Sequence, residues 1–126
     1  MRAADTNVVV RLIARDDKDQ VAAAEAFVEN GAWVSHLAIA ETMWVLDSVY
    51  ERSRTELAAA IENLLDHEQL TLQDPEVVRA ALESFRSQRS VSFSDCLLLA
   101  MARKAGHTPL GTFDRHLGKL EDAQRL

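Results

Sequence analysis

MRAADTNVVVRLIA, residues 1–14, is the stretch on which the fold turns. Met1 to Ala4 are short and modestly apolar, and they run into Asp5-Thr6-Asn7, a cluster of residues that cap helices and close turns. Beyond that cluster Val8, Val9, Leu12 and Ile13 recur at helical spacing. The expected opening is therefore strand, turn, helix, with an acid at the carboxyl end of the strand.

The same unit repeats along the chain. Lys18 to Asn30 predicts a second helix, with Val21, Ala24, Phe27 and Val28 on one side and Asn30-Gly31 as its stop. Ala32-Trp33-Val34 reads as a short strand. Ser35 caps a long helix to about Tyr50, whose expected apolar side is Leu37, Ala40, Met43, Trp44 and Val45. Ser53 starts another with Leu57, Ile61, Leu64 and Leu65, followed by a strand at Leu70 to Leu72. Asp74-Pro75 opens a helix to about Gln88, since proline is tolerated in the first turn. Ser92 to Ala105 gives a helix stopped by Gly106, and Thr108 to Thr112 a strand that leads to Asp114 and a final short helix. Alternation of strand and helix predicts an α/β fold, a three-layer α/β/α sandwich on a short, mainly parallel sheet.

Composition sets the bounds. A chain of 126 residues suits one domain, over 1–126, and buries a core without disulfides or structural zinc. Four glycines and two prolines favour helices over a many-turned β design. The apolar run Val8 to Val10 is cut by Arg11, and no run approaches the roughly 20 residues of a membrane span, which predicts a cytoplasmic protein. The one cysteine, Cys96, beside Leu97, Leu98 and Leu99, reads as a small buried hydrophobe. A net charge of −6 argues against bulk binding of nucleic acid, yet leaves room for a local basic rim, because salt confines each charge to roughly 10 Å.

Four carboxylates stand out. Asp5 and Asp114 each follow a predicted strand, and in open parallel sheets ligands bind outside the carboxyl ends of strands; helix capping is the alternative for each. Glu41 has Leu37, Ala38, Trp44 and Val45 as helical neighbours, so it is expected within an apolar stripe, where a carboxylate needs a cation or a hydrogen-bond partner unless it reaches solvent at the stripe's edge. Asp95 begins an apolar face one turn ahead of Leu98 and Leu99, or forms a capping box with Ser92. If the four converge, a hard divalent cation is what holds them, and oxygen donors favour magnesium or manganese. His36, His67, His107 and His116 have no HxxxH or HxH spacing for zinc and are expected at the surface.

Asp5-Thr6-Asn7 after the first strand, Glu41 on a long helix, Phe93-Ser94-Asp95 opening another and Thr112-Phe113-Asp114 near the end together resemble the PIN-domain ribonucleases, and among them the VapC toxins. The likeness covers essentially the whole chain. It implies magnesium- or manganese-dependent cutting of single-stranded or looped RNA, leaving a 5′-phosphate and a 3′-hydroxyl, and inhibition by a small cognate antitoxin of the VapB kind. It implies that Asp5, Glu41, Asp95 and Asp114 are the catalytic and metal-binding acids, with Thr6, Asn7, Ser94 and Thr112 orienting them. The sequence departs from many relatives at His116, where another acid is often found.

RNA reaching an acidic pocket needs cations at its edge, and Arg11, Arg115, His116 and Lys119 are the nearest in sequence. The helices at Ser35 to Tyr50 and Ser53 to Asp66 are candidates for a self-pairing face, which predicts a homodimer. A PIN-like module without activity is the alternative function. A haloacid-dehalogenase phosphohydrolase would show Asp-x-Asp where this chain has Asp5-Thr6-Asn7, and a phosphoacceptor receiver would need paired acids after the first strand and a lysine after the last.

Overall fold

A computed structural model describes all residues, 1–126, as two compact units, Met1–Pro75 and Glu76–Leu126. In the first, β1 (Arg2–Ala3), β2 (Ala32–Val34) and β3 (Leu70–Leu72) form a parallel sheet in the order β1-β2-β3, with Arg2 opposite Ala32 and Trp33 opposite Thr71. Parallel neighbours need crossovers, and helices supply them. Helices α1 (Thr6–Ala14) and α2 (Lys18–Val28) lie between β1 and β2, and α3 (His36–Ser48) and α4 (Arg54–Asp66) between β2 and β3. Because the three strands run the same way, Asp5, Ser35 and Gln73 all leave the sheet at its carboxyl edge.

Local chemistry sets the ends of these helices. Asp5, Asp17, Ser35 and Ser53 are extended N-caps whose side chains accept backbone N–H bonds. At Ser53 the capping box is complete: Ser53 accepts from the Glu56 N–H at 3.2 Å, and Glu56 accepts from the Ser53 N–H at 2.9 Å. That second bond holds the Glu56 carboxyl below its ordinary value of 4.5. A depressed carboxyl stabilises the folded state above its unfolded pKa and loses that contribution as pH falls through the folded value. Ser53→Ala is expected to cost about 1 kcal/mol through loss of the cap, whereas Glu56→Gln, which still accepts from the Ser53 N–H but does not titrate, should lose melting temperature less steeply than the parent below pH 4.5. Thermal melts of the three proteins over that range check it.

The second unit holds most of α5 (Pro75–Ser87), then α6 (Phe93–Ala105), β4 (Leu110–Thr112), the 3-10 turn η1 (Leu117–Lys119) and β5 (Ala123–Arg125). Phe85 and Phe93 meet edge to face at 5.7 Å and join α5 to α6. Gly106, at φ 80°, ends α6 by donating back to Ala102 and Arg103, in a left-handed conformation that a side chain would strain. Strand β5 has no counterpart in the sequence reading. It pairs parallel with β4, Gly111 opposite Gln124, and passes so near η1 that a Cβ on Gly118 would lie 2.6 Å from the Arg125 Cβ.

The α/β expectation holds, with short parallel strands among six helices, but the strands divide between a three-stranded and a two-stranded sheet. Cys96 is free and buried, as expected. Expectations of burial fail on α3. Helix α3 buries His36, Ala38, Ile39, Thr42, Met43 and Leu46, whereas Leu37 and Trp44 of the expected apolar side are 68% and 66% exposed. Apolar residues surround this helix, so spacing alone does not choose the inward face. His36, expected at the surface, is buried, and neither ring nitrogen has a hydrogen-bond partner. It sits in the first turn of α3, where its backbone N–H donates to the Gln73 Oε1 at 2.8 Å. That bond holds the helix start, and the buried ring with its unpartnered nitrogens carries a desolvation cost.

Candidate active site

Asp5 leaves β1 and caps α1, its Oδ1 accepting from the Thr6 N–H at 2.8 Å. Thr6 is buried, and its hydroxyl donates to the Glu41 Oε2 at 3.1 Å, across 35 residues of chain. Two acids from different elements are thus tied through one threonine, at the carboxyl edge of the sheet. The expectation that Glu41 lies buried in an apolar stripe is corrected, because the residue is exposed. Leu37 and Trp44, one turn to either side, are exposed as well, while Ala38 is buried and Val45 half-buried, so Glu41 sits at the stripe's edge and reaches solvent.

Asp114 and Asp95 belong to the other unit. The Asp114 N–H donates to the Thr112 Oγ1 at 3.0 Å, its Oδ1 accepts from the Leu117 N–H at 2.7 Å, and its carbonyl accepts from the Gly118 N–H at 3.0 Å. The Leu117 N–H, then that of His116, and the charges of His116 and Arg115 hold the Asp114 carboxyl below the ordinary carboxylate value of 3.8. It is anionic at any physiological pH. Asp95, half-buried in the first turn of α6, takes one side of a capping box: its N–H donates to the Ser92 Oγ at 3.2 Å. Ser92 does this, while Ser94 is exposed.

Each unit contributes two of the four acids, and neither by itself gathers three side chains able to cage a metal. The donor chemistry fits magnesium or manganese. Asp5 and Asp114 each commit one oxygen to a backbone N–H and Glu41 one to Thr6, and a carboxylate has two, so each keeps an oxygen for a hard cation. Of the expected orienting residues, Thr6 bonds Glu41 and Thr112 bonds the Asp114 backbone. Asn7 instead lines a cleft of about 520 Å³ between α1 and α2, with Val8, Arg11, Gln20, Ala23 and Phe27. Turn chemistry at Asp5-Thr6-Asn7 did not signal that cleft, which depends on how two helices pack.

Arg11, expected to contact RNA, is partly exposed and already held by three side chains of the first unit. It donates to Asp16 at 2.8 Å and to the Tyr50 hydroxyl at 2.9 Å and also bonds Gln20, while Tyr50 donates to Asp16 at 2.7 Å. The Tyr50 bond holds the Asp16 carboxyl low, so this clasp stays charged. Arg115 and Lys119 are exposed and His116 half-buried, all within five residues of Asp114.

Thr6→Val keeps the volume of the side chain and removes the hydroxyl, leaving Glu41 unheld. Orienting residues of this kind are typically worth 10- to 100-fold in metal affinity or activity. The expected outcome is a loss of that size in manganese affinity by titration calorimetry, larger than any change caused by Asn7→Ala.

A family model described as PIN domain matches residues 3–123. Among curated proteins, the chain is 25% identical to a VapC ribonuclease of Aquifex aeolicus (strain VF5) over 126 residues, 95% of this chain and 92% of that protein. No solved structure gives a significant match.

Proposed function

The chain belongs to the PIN-domain family, and on that premise we propose that it is a divalent-metal-dependent endoribonuclease, the toxin of a toxin-antitoxin pair, acting in the cytoplasm as one PIN domain over residues 1–126. One observation carries the reading: the Thr6 hydroxyl holds Glu41 while Asp5 caps the helix that Thr6 begins. A carboxylate pinned in this way gains a fixed orientation for a ligand. The similar Aquifex aeolicus protein bears the name ribonuclease, which supports RNA as the substrate.

On this reading Asp5, Glu41, Asp95 and Asp114 hold the cation, magnesium or manganese. When bound, it supplies a water of lowered pKa and positive charge against the phosphate. The chain does the rest. Thr6 sets Glu41, the Leu117 N–H sets Asp114, and Arg115 and Lys119 meet phosphates at the rim. Water adds to phosphorus and the bond to the 3′-oxygen breaks, giving a 5′-phosphate and a 3′-hydroxyl. Leu37 and Trp44 offer exposed apolar surface on α3 for a second copy, and an antitoxin of the VapB kind covers the acids. No helix is long and apolar enough to cross a membrane.

The test is cleavage by the purified protein of a labelled, structured RNA pool in magnesium and in manganese, beside a small phosphomonoester. Cut RNA and an intact monoester are expected. Hydrolysis of the monoester alone makes the protein a phosphohydrolase, and no reaction with either leaves an inactive interaction module.

A further inference from the structure

Phe113 is 80% exposed, a large apolar ring left in water between the last residue of β4 and Asp114. The backbone on either side of it is pinned. The Asp114 N–H is held by Thr112, and the Asp114 side chain and carbonyl are held by Leu117 and Gly118. The ring is therefore carried by a rigid turn rather than a slack loop, and it shares that turn with one of the four acids. Arg115 and Lys119, both exposed, and His116 follow within six residues.

Resting on the nuclease reading above, we propose that Phe113 is the platform on which an unpaired base of the RNA stacks beside the phosphate to be cut. The ring offers a flat face and no hydrogen-bonding group, which suits the π-face of any base and gives tolerance of sequence. The neighbouring cations suit the phosphates on either side of that base. A protein partner is the poorer fit, since charged side chains are depleted from the cores of protein interfaces, and here Asp114, Arg115 and Lys119, all exposed, follow Phe113 within six residues. A single-stranded or looped segment is required, because a base within a duplex has no free face.

The experiment measures binding apart from cleavage. In an Asp95→Asn background with magnesium present, the affinity for a short labelled single-stranded oligoadenylate is read by fluorescence anisotropy, with Phe113→Ala and Phe113→Trp compared. Loss of one stacked base is expected to weaken binding of the alanine variant about 5- to 100-fold, and tryptophan should retain it. Competition by inorganic polyphosphate, which has the charge and no base, should be the same in all three, as should their melting temperatures. Equal affinity of the alanine variant and its parent for oligoadenylate overturns the proposal while leaving the nuclease reading intact. So does an equal weakening toward polyphosphate, or loss of a dimer in light scattering without loss of RNA binding. A parent that neither binds nor cuts RNA overturns both.

Discussion

Asp5→Asn, Glu41→Gln, Asp95→Asn and Asp114→Asn are each expected to lower RNA cleavage at least about 100-fold, equivalent to about 2.7 kcal/mol of barrier, while leaving the melting temperature nearly unchanged. The contrast follows from what each oxygen does in the fold. Asn caps a helix as well as Asp, so Asp5→Asn keeps its bond from the Thr6 N–H. Gln at position 41 still accepts from the Thr6 hydroxyl, and Asn at 114 from the Leu117 N–H. The Asp95 carboxylate gives only the favourable charge of a first helical turn, roughly 0.3–1 kcal/mol. What all four amides lose is the negative charge that a divalent cation requires; the fold also uses that charge at Asp114, where two backbone N–H groups favour the anion, so Asp114→Asn should show the largest of the four small shifts in melting temperature. Initial rates on a labelled RNA, with circular-dichroism melts of the same samples, separate the two. A variant that cuts as well as the parent removes its residue from the site; one that also melts far below the parent was structural.

Withdrawal of the metal should be as severe. Chelation is expected to abolish cleavage, and added magnesium or manganese to restore it. Zinc should restore it poorly, since none of the four donors is a nitrogen or a thiolate. Stability supplies an independent readout. A ligand that binds only the folded state adds about 2.7 kcal/mol at 100 times its Kd, so saturating manganese should raise the melting temperature of the parent. It should raise that of Asp5→Asn or Asp114→Asn less. Cleavage that persists in chelator would be incompatible with the metal mechanism and would direct attention to the cleft lined by Asn7 and Gln20.

Much of this was legible in the residues alone. Caps and stops act over three or four residues, so Asp5, Ser35, Ser53 and Ser92 mark helix starts, and Gly106 a helix end, wherever the rest of the chain goes. The positions of the four acids relative to those starts and to the strand ends carried the likeness to PIN domains, and residues 3–123 match that family.

Tertiary structure decided what depends on partners far off in the chain. Periodicity fixes the angle between Leu37 and Ile39 on α3 but not which of them meets a neighbour; packing on α1 and α4 turned Ile39, Thr42 and Leu46 inward and left Leu37, Glu41 and Trp44 in water. Arg11 looks like a free cation until Tyr50, 39 residues on, closes on it. Glu41 finds Thr6 across 35 residues, and β5 exists because β4 lies alongside it rather than because Ala-Gln-Arg favours a strand. The sequence determined which groups are present and how each is set locally. Only the fold could decide which of them meet, because a contact between distant residues depends on the free energy of the whole packed arrangement, in which local preference is one small contribution.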